Sequence, residues 1–250
     1  MAVSVLALCC TVSADARRYV VIRELPHDTS AYTQGLVYAD GWVYESTGRY
    51  GRSQVRKVQL ETGRAELVHR LAENRFGEGL ALLGDRLYQL TWKSEVGYIY
   101  DAATLTPIDS FAYTGEGWGL TTDGAVLIMS DGTATLRFLD PDGLRVVREL
   151  TVRDNGSELP QLNELEYVRG ELLANVYQGD WIVRIDLATG DVLEWIDFAG
   201  LLPDDRRGPA TDVLNGIALV PQTGHLLVTG KLWPMLFEVR LTSAADSAPR

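Results

Sequence analysis

Gln34-Gly-Leu-Val-Tyr38, Asp40-Gly41 and Trp42-Val-Tyr-Glu-Ser46 read in succession as a short strand, a turn and a second strand of alternating character. Gln54-Val-Arg-Lys-Val-Gln-Leu60 follows as a third strand, Glu61-Thr-Gly63 as its turn and Ala65-Glu-Leu-Val-His69 as a fourth. Four short strands in sequence are one blade of a propeller. The opening triplet recurs as Glu78-Gly-Leu, Trp118-Gly-Leu, Asn163-Glu-Leu and Asn215-Gly-Ile, so the second residue of each falls at 35, 79, 119, 164 and 216. Separations of 44, 40, 45 and 52 residues suit four-stranded blades. Turns follow at Gly84-Asp85, Asp123-Gly124, Arg169-Gly170 and Thr223-Gly224, and further strand pairs follow each turn. The spacing therefore predicts an all-β fold, a five-bladed β-propeller of four-stranded blades. The fifth copy runs out after its third strand, Leu236-Phe-Glu-Val-Arg-Leu241, whereas Tyr19-Val-Val-Ile-Arg-Glu-Leu25 lies unclaimed before the first marker. Pairing the two closes the ring and removes its open edges.

Working outward, the 250-residue chain is long enough for one large all-β domain. We expect a single propeller over residues 17–241 and a disordered tail at 242–250. Residues 1–16 form an apolar run ending in Ala14-Asp-Ala16, the small-x-small form of a signal-peptidase site, which predicts export to a periplasm or outside the cell. Both cysteines, Cys9 and Cys10, lie in that run, so a processed chain would hold no thiol and no disulfide. A formal charge of −11 argues against a nucleic-acid partner, since phosphates are neutralised by clustered Lys and Arg. No other run approaches the roughly 18 apolar residues of a membrane span. A monomer is expected. Two stretches, 154–161 and 199–211, break the pattern as long polar loops that either overhang the channel or are plain insertions.

The lead position of the marker is Gln34, Glu78, Trp118, Asn163 and Asn215 in turn, a variety that packing of equivalent holes does not require. In a propeller the innermost strands line the axis, so these five side chains are expected to converge there. Glu78 is their single carboxylate, and among Phe76, Trp92 and Trp118 its proton affinity would rise toward a value useful for proton transfer. Glu164 occupies the glycine slot and should turn away from the lead residue. A calcium site from Glu78, Asn163, Glu164 and Asn215 is conceivable but poor in carboxylates. His27, His69 and His225 have no metal spacing and are assigned to the surface. Lys231 follows a second strand and is aligned with Thr47, Thr91, Ser130 and Gln178, at the channel rim.

Seven segments in order carry a resemblance. They are Tyr32-Thr-Gln-Gly-Leu36, Glu45-Ser-Thr-Gly48, Phe76-Gly-Glu-Gly-Leu80, Leu90-Thr-Trp-Lys93, Gly115-Glu-Gly-Trp-Gly-Leu120, Leu162-Asn-Glu-Leu-Glu-Tyr167 and Asn215-Gly-Ile through Thr229-Gly-Lys-Leu-Trp-Pro234. Together they resemble the plant and bacterial type of glutaminyl-peptide cyclotransferase, over about residues 19 to 241. The resemblance implies a five-bladed propeller that converts an N-terminal glutamine of a peptide or protein to pyroglutamate with loss of ammonia, without a cofactor or metal. It implies Glu78 as acid-base group, with Lys231 and Asn163 as the other catalytic residues. Gln34, Tyr32, Phe76, Trp92, Trp118, Tyr177 and Asn215 are then the substrate-binding set, Tyr32 and Tyr177 standing where the plant form is expected to carry Phe and Trp. A peptide- or sugar-binding propeller without catalysis and a metal-dependent hydrolase are the competing readings.

Overall fold

Burial in this protein falls from the axis of a ring to its rim, and that gradient separates the four strands of each repeat. The structure, a computed structural model, describes residues 19–242. The expected leader, both cysteines and residues 243–250 of the expected tail lie outside the described residues. After β1 (Tyr19–Pro26), blade one is β2 (Thr33–Ala39), β3 (Trp42–Thr47), β4 (Gln54–Gln59) and β5 (Arg64–Arg70). Blade two is β6 (Gly77–Leu83), β7 (Arg86–Thr91), β8 (Val96–Asp101) and β9 (Pro107–Ala112). Blade three is β10 (Leu120–Thr122), β11 (Leu127–Met129), β12 (Thr135–Leu139) and β13 (Val146–Thr151). A small hairpin, β14 (Arg153–Asp154) and β15 (Ser157–Glu158), precedes blade four, which is β16 (Leu162–Val168), β17 (Glu171–Val176), β18 (Trp181–Asp186) and β19 (Val192–Asp197). Blade five is β20 (Leu214–Val220), β21 (His225–Gly230) and β22 (Met235–Leu241), completed by β1. The order and closure read from the repeat hold. Tyr19 pairs with Leu241 and Pro26 with Met235, with one bulge between Val21 and Arg23.

Inner strands such as β2 and β6 begin with four or five consecutive buried residues, whereas the outer β5 alternates and β9 is mostly exposed. Strands buried on both faces need no alternation; strands with one wet face do. The core lies between neighbouring blades rather than in the middle of the ring. Ala81, Leu90, Leu120 and Met129 fill the space between blades two and three. Leu36, Val43, Leu227 and Leu236 do the same between one and five. Each blade is thus one wall of two cores, and one misplaced blade disturbs both neighbours.

The marker triplet is a bulge. Pairing of the inner with the second strand jumps from Thr33 to Gly35, Gly77 to Leu80, Leu162 to Leu165 and Leu214 to Ile217. A bulge releases residues from the ladder and re-aims their side chains, here the lead residues, toward the axis. The following glycine is needed where inner strands crowd: a Cβ on Gly119 would lie 2.0 Å from the Asn163 carbonyl oxygen, and one on Gly79 2.4 Å from the Leu120 nitrogen.

The structure locates the two long stretches, whose readings were open, and corrects one surface assignment. The 154–161 stretch is no open loop over the channel, because its hairpin lies against β19, where Trp195 Nε1 donates to Asp154 at 3.2 Å. The second stretch buries Leu201 and Leu202 in the core between blades four and five. His27 is no surface residue: its ring is 6% exposed, contacts Glu45 at 3.1 Å and the Trp233 carbonyl at 2.7 Å, and Glu45 in turn holds Arg56. Burial opposes the charge on His27, but the Glu45 carboxylate outweighs it and raises its proton affinity. Glu45 lies two strands away, so this partnership exists only after the blade has formed.

Candidate active site

Two rings of side chains converge at one mouth of the channel. Lead residues form the lower ring: Gln34, Glu78, Trp118 and Asn163 line a cavity of about 220 Å³. The upper ring comes from residues two before a lead residue, Tyr32 and Phe76, and from the residue just after a second strand, Trp92, Tyr177 and Lys231. Backbone bonds define that last slot. The N–H groups of Gly48, Trp92, Tyr177 and Lys231 donate to the carbonyls of Tyr32, Phe76, Gln161 and Val213 at 2.8 to 3.0 Å. The alignment of Lys231 with Thr47, Thr91 and Gln178 is therefore displaced by one residue, and its true equivalents are Gly48, Trp92 and Tyr177. At Gly48 the missing side chain leaves room for the Phe76 ring.

Nine of the ten residues singled out from the sequence line this cavity, and Asn215 does not. Asn215 lies below it, 1% exposed, where its Nδ2 donates to the Thr33 carbonyl at 3.0 Å and to Gln34 Oε1 at 3.3 Å. That contact orients the Gln34 amide, whose Nε2 then donates to Glu78 Oε1 at 2.7 Å. A relay of lead residues from blades five, one and two thus ends on the only carboxylate of the lining. Burial pushes Glu78 well above the usual carboxylate range, Lys231 and Gln34 pull it back, and the Glu116 charge adds to the rise.

Lys231 is 2% exposed. Among the described residues no carboxylate lies within ion-pair distance of its Nζ, which instead stands 5.0 Å from the ring centres of both Tyr32 and Tyr177. Burial lowers its proton affinity, and the Glu78 and Asp212 charges oppose that. Among the described residues the Asn163 Oδ1 is buried without a hydrogen-bond partner, an expensive state unless something else supplies a donor. The walls are aromatic: Phe76 tilts against Trp92 at 5.5 Å and Trp118 meets Tyr177 edge-on at 5.5 Å.

Two residues of this environment were not singled out from the sequence. Asp212 accepts from the Tyr32 hydroxyl at 3.1 Å, and its own backbone N–H donates to the Lys231 carbonyl at 3.0 Å. Glu116 accepts from the indoles of Trp92 and Trp118. Glu116 stands two residues before a lead residue, the place of Tyr32 and Phe76, so the repeat itself marked it. Asp212 lies in an irregular segment and carried no such mark. Glu164 turns away from the cavity as expected: its carboxylate accepts from the backbone N–H groups of Leu36 and Ile217 at 3.1 and 2.8 Å. Among the described residues no group of three or more His, Cys, Asp or Glu side chains is placed to share a metal ion.

A family model described as glutamine cyclotransferase matches residues 2–241. A curated glutaminyl-peptide cyclotransferase from Arabidopsis thaliana is 47% identical over 231 residues, which is 90% of this chain and 72% of that protein. Among solved structures, Myxococcus xanthus glutaminyl cyclase superposes with a TM-score of 0.83 at 40% identity, covering 90% of this chain and 96% of that one. A chain of Kuenenia stuttgartiensis hydrazine synthase matches at 15% identity and a TM-score of 0.50, covering 81% of this chain and 56% of that one, a likeness of fold alone.

Proposed function

The chain belongs to the glutamine cyclotransferase family and is a glutaminyl-peptide cyclotransferase, and we propose that Glu78 carries its chemistry as a single acid-base group. The reaction closes an N-terminal glutamine to pyroglutamate. The free α-amine attacks the Cδ of its own side-chain amide, a C–N bond forms, and the amide oxygen takes the electron pair. Glu78 accepts the proton that the attacking nitrogen must lose and returns it to the amide nitrogen, whose bond to Cδ then breaks to release ammonia.

The observation that carries this reading is that Glu78 alone among the lining residues bears a carboxyl, with Gln34 fixed on one of its oxygens. The other oxygen is left for the reacting nitrogens. Holding the glutamine folded back on itself is the larger part of an intramolecular reaction, and the rings of Phe76, Trp92, Trp118, Tyr32 and Tyr177 supply the walls. A cavity of about 220 Å³ is smaller than the roughly 300 Å³ at which drug-sized pockets begin, so it suits one terminal residue and leaves the rest of the peptide outside. Lys231, buried and with no carboxylate within ion-pair distance among the described residues, stabilises the oxyanion of the tetrahedral intermediate. Asn163 Oδ1 accepts from the substrate amine or amide.

Ammonia release from a short peptide beginning with glutamine tests this assignment, with the same peptide capped at its amine as control. Release that requires a free amine and disappears in Glu78→Gln supports it; turnover by that variant refutes the role of Glu78. Residues 1–16 we read as an export leader, which N-terminal sequencing of the mature protein from its host checks. A mature chain still starting at Met1 would reject that reading.

A further inference from the structure

We propose that Glu116 is the positioning residue of this pocket: its carboxylate ties the indoles of Trp92 and Trp118 together and so sets the spacing of the two walls between which the glutamine folds. This rests on the cyclotransferase reading given above.

One carboxylate oxygen, Oε2, accepts from Trp92 Nε1 at 2.6 Å and from Trp118 Nε1 at 2.9 Å, while Oε1 stands 3.4 Å from Lys93 Nζ. The two indoles come from different blades, Trp92 from the end of β7 and Trp118 from just before β10, and Glu116 bridges that seam. An indole N–H can only donate, and a carboxylate makes such bonds short and strong. Glu116 does not line the cavity; it acts through the rings that do.

Its backbone is held on both sides. Gly115 donates to Glu95 at 2.7 Å, and Gly117 donates to the Trp92 carbonyl at 2.9 Å. A Cβ on Gly117 would lie 2.5 Å from the Tyr113 hydroxyl and 2.9 Å from the Thr91 carbonyl oxygen, so the loop sits against blade two with no room for a side chain beside Glu116. Partial burial works against the charge of Glu116, but the two indoles and Lys93 outweigh it and hold its carboxyl below the ordinary range. The clasp therefore stays ionised at neutral pH. The charged groups around it are Lys93 on its Oε1, Glu95 on the Gly115 amide, Arg137 on the Thr114 carbonyl with Asp131 on that guanidinium, and Glu78, which responds to the charges of both Glu116 and Lys231. The Glu116 charge favours the protonated form of Glu78, against the pull of Lys231.

The test compares Glu116→Ala and Glu116→Gln with the wild type in kinetics and in the indole N–H resonances of the protein without substrate. The chain has six tryptophans, and single Trp→Phe variants assign the two resonances concerned. In Glu116→Ala both shift and exchange faster with water, kcat/KM falls on the order of tenfold to a hundredfold, most of it in KM, and the acid limb of the kcat/KM profile moves to lower pH. Glu116→Gln keeps one acceptor and recovers part of KM, but its acid limb stays displaced because the charge is gone. Unmoved indole resonances would show that no clasp exists. Moved resonances with wild-type KM and an unmoved acid limb would show that it positions nothing. If the wild type itself released no ammonia the cyclotransferase reading would fail, and with it the kinetic half of this proposal, whereas insensitivity of an active enzyme to both variants overturns the proposal alone.

Discussion

Glu78 and Glu164 are both buried carboxyls near the propeller axis, and burial raises the proton affinity of both well above the ordinary range. Their surroundings differ in what accompanies that rise. Glu78 has one side-chain donor, Gln34, and borders a cavity with an unpartnered amide oxygen and a buried lysine. Glu164 lines no part of the pocket, stands where four other blades have glycine, and spends its oxygens on backbone N–H groups of blades one and five. Inner strands of neighbouring blades make few bonds to each other, so those amides would otherwise be orphaned. A raised carboxyl is thus no signature of catalysis by itself. The open volume and unsatisfied partners beside it make the distinction.

The sharpest test of the contrast is Glu78→Gln. It should lower kcat/KM on the order of 10²–10⁴-fold while leaving the melting temperature nearly unchanged, since an amide of the same shape replaces a carboxyl whose charge burial opposes. An active variant, or one that melts early, would erase the difference between the two sites. Lys231→Met comes next, with kcat expected to fall about 10²-fold while the acid limb of the profile moves upward, because Lys231 holds the proton affinity of Glu78 down. Steady-state kinetics across pH read both effects. Glu164→Ala should do the reverse of Glu78→Gln: a loss of about 2–4 kcal/mol in denaturant unfolding, from two buried N–H groups left without acceptors, with turnover per folded molecule retained.

Glu166 gives the smallest effect. It accepts from the Leu219 N–H at 2.7 Å, and burial raises its carboxyl to about 8. A group whose folded proton affinity is raised stabilises most below its unfolded value and loses that contribution as pH rises through the folded one. Thermal stability should therefore decline from about pH 4.5 to about pH 8, and Glu166→Gln should flatten that decline by a few degrees. A steeper decline in the variant would contradict the assignment.

The blade count was legible because a local geometry repeats: the lead residue, the glycine after it (Glu164 in blade four) and the aliphatic that follows are its sequence trace. The lining of the pocket was legible for the same reason, since Gln34, Glu78, Trp118 and Asn163 share a position in that geometry. Asn215 shares it too, yet sits below the cavity holding Gln34, because neighbouring lead residues bond to each other in an order that no spacing reveals. The slot of Lys231 lies one residue away from the alignment read from spacing, because it is set by a backbone bond across the bulged end of the inner strand. His27 with Glu45, and Asp212 with Tyr32, are pairings between distant segments, and only closure of the blades creates them.

Closure itself has a consequence for the order of synthesis. Tyr19–Pro26 is among the first strands to be made, yet its partner, Met235–Leu241, is the last. For nearly the whole of translation Val20, Val21 and Ile22 belong to a strand with no sheet to join, and this non-local pairing is of the kind that folds late. The ring cannot lock until Met235–Leu241 arrives, so a ribosome that stalls before blade five releases four blades with two raw edges, a form suited to aggregation and without Lys231.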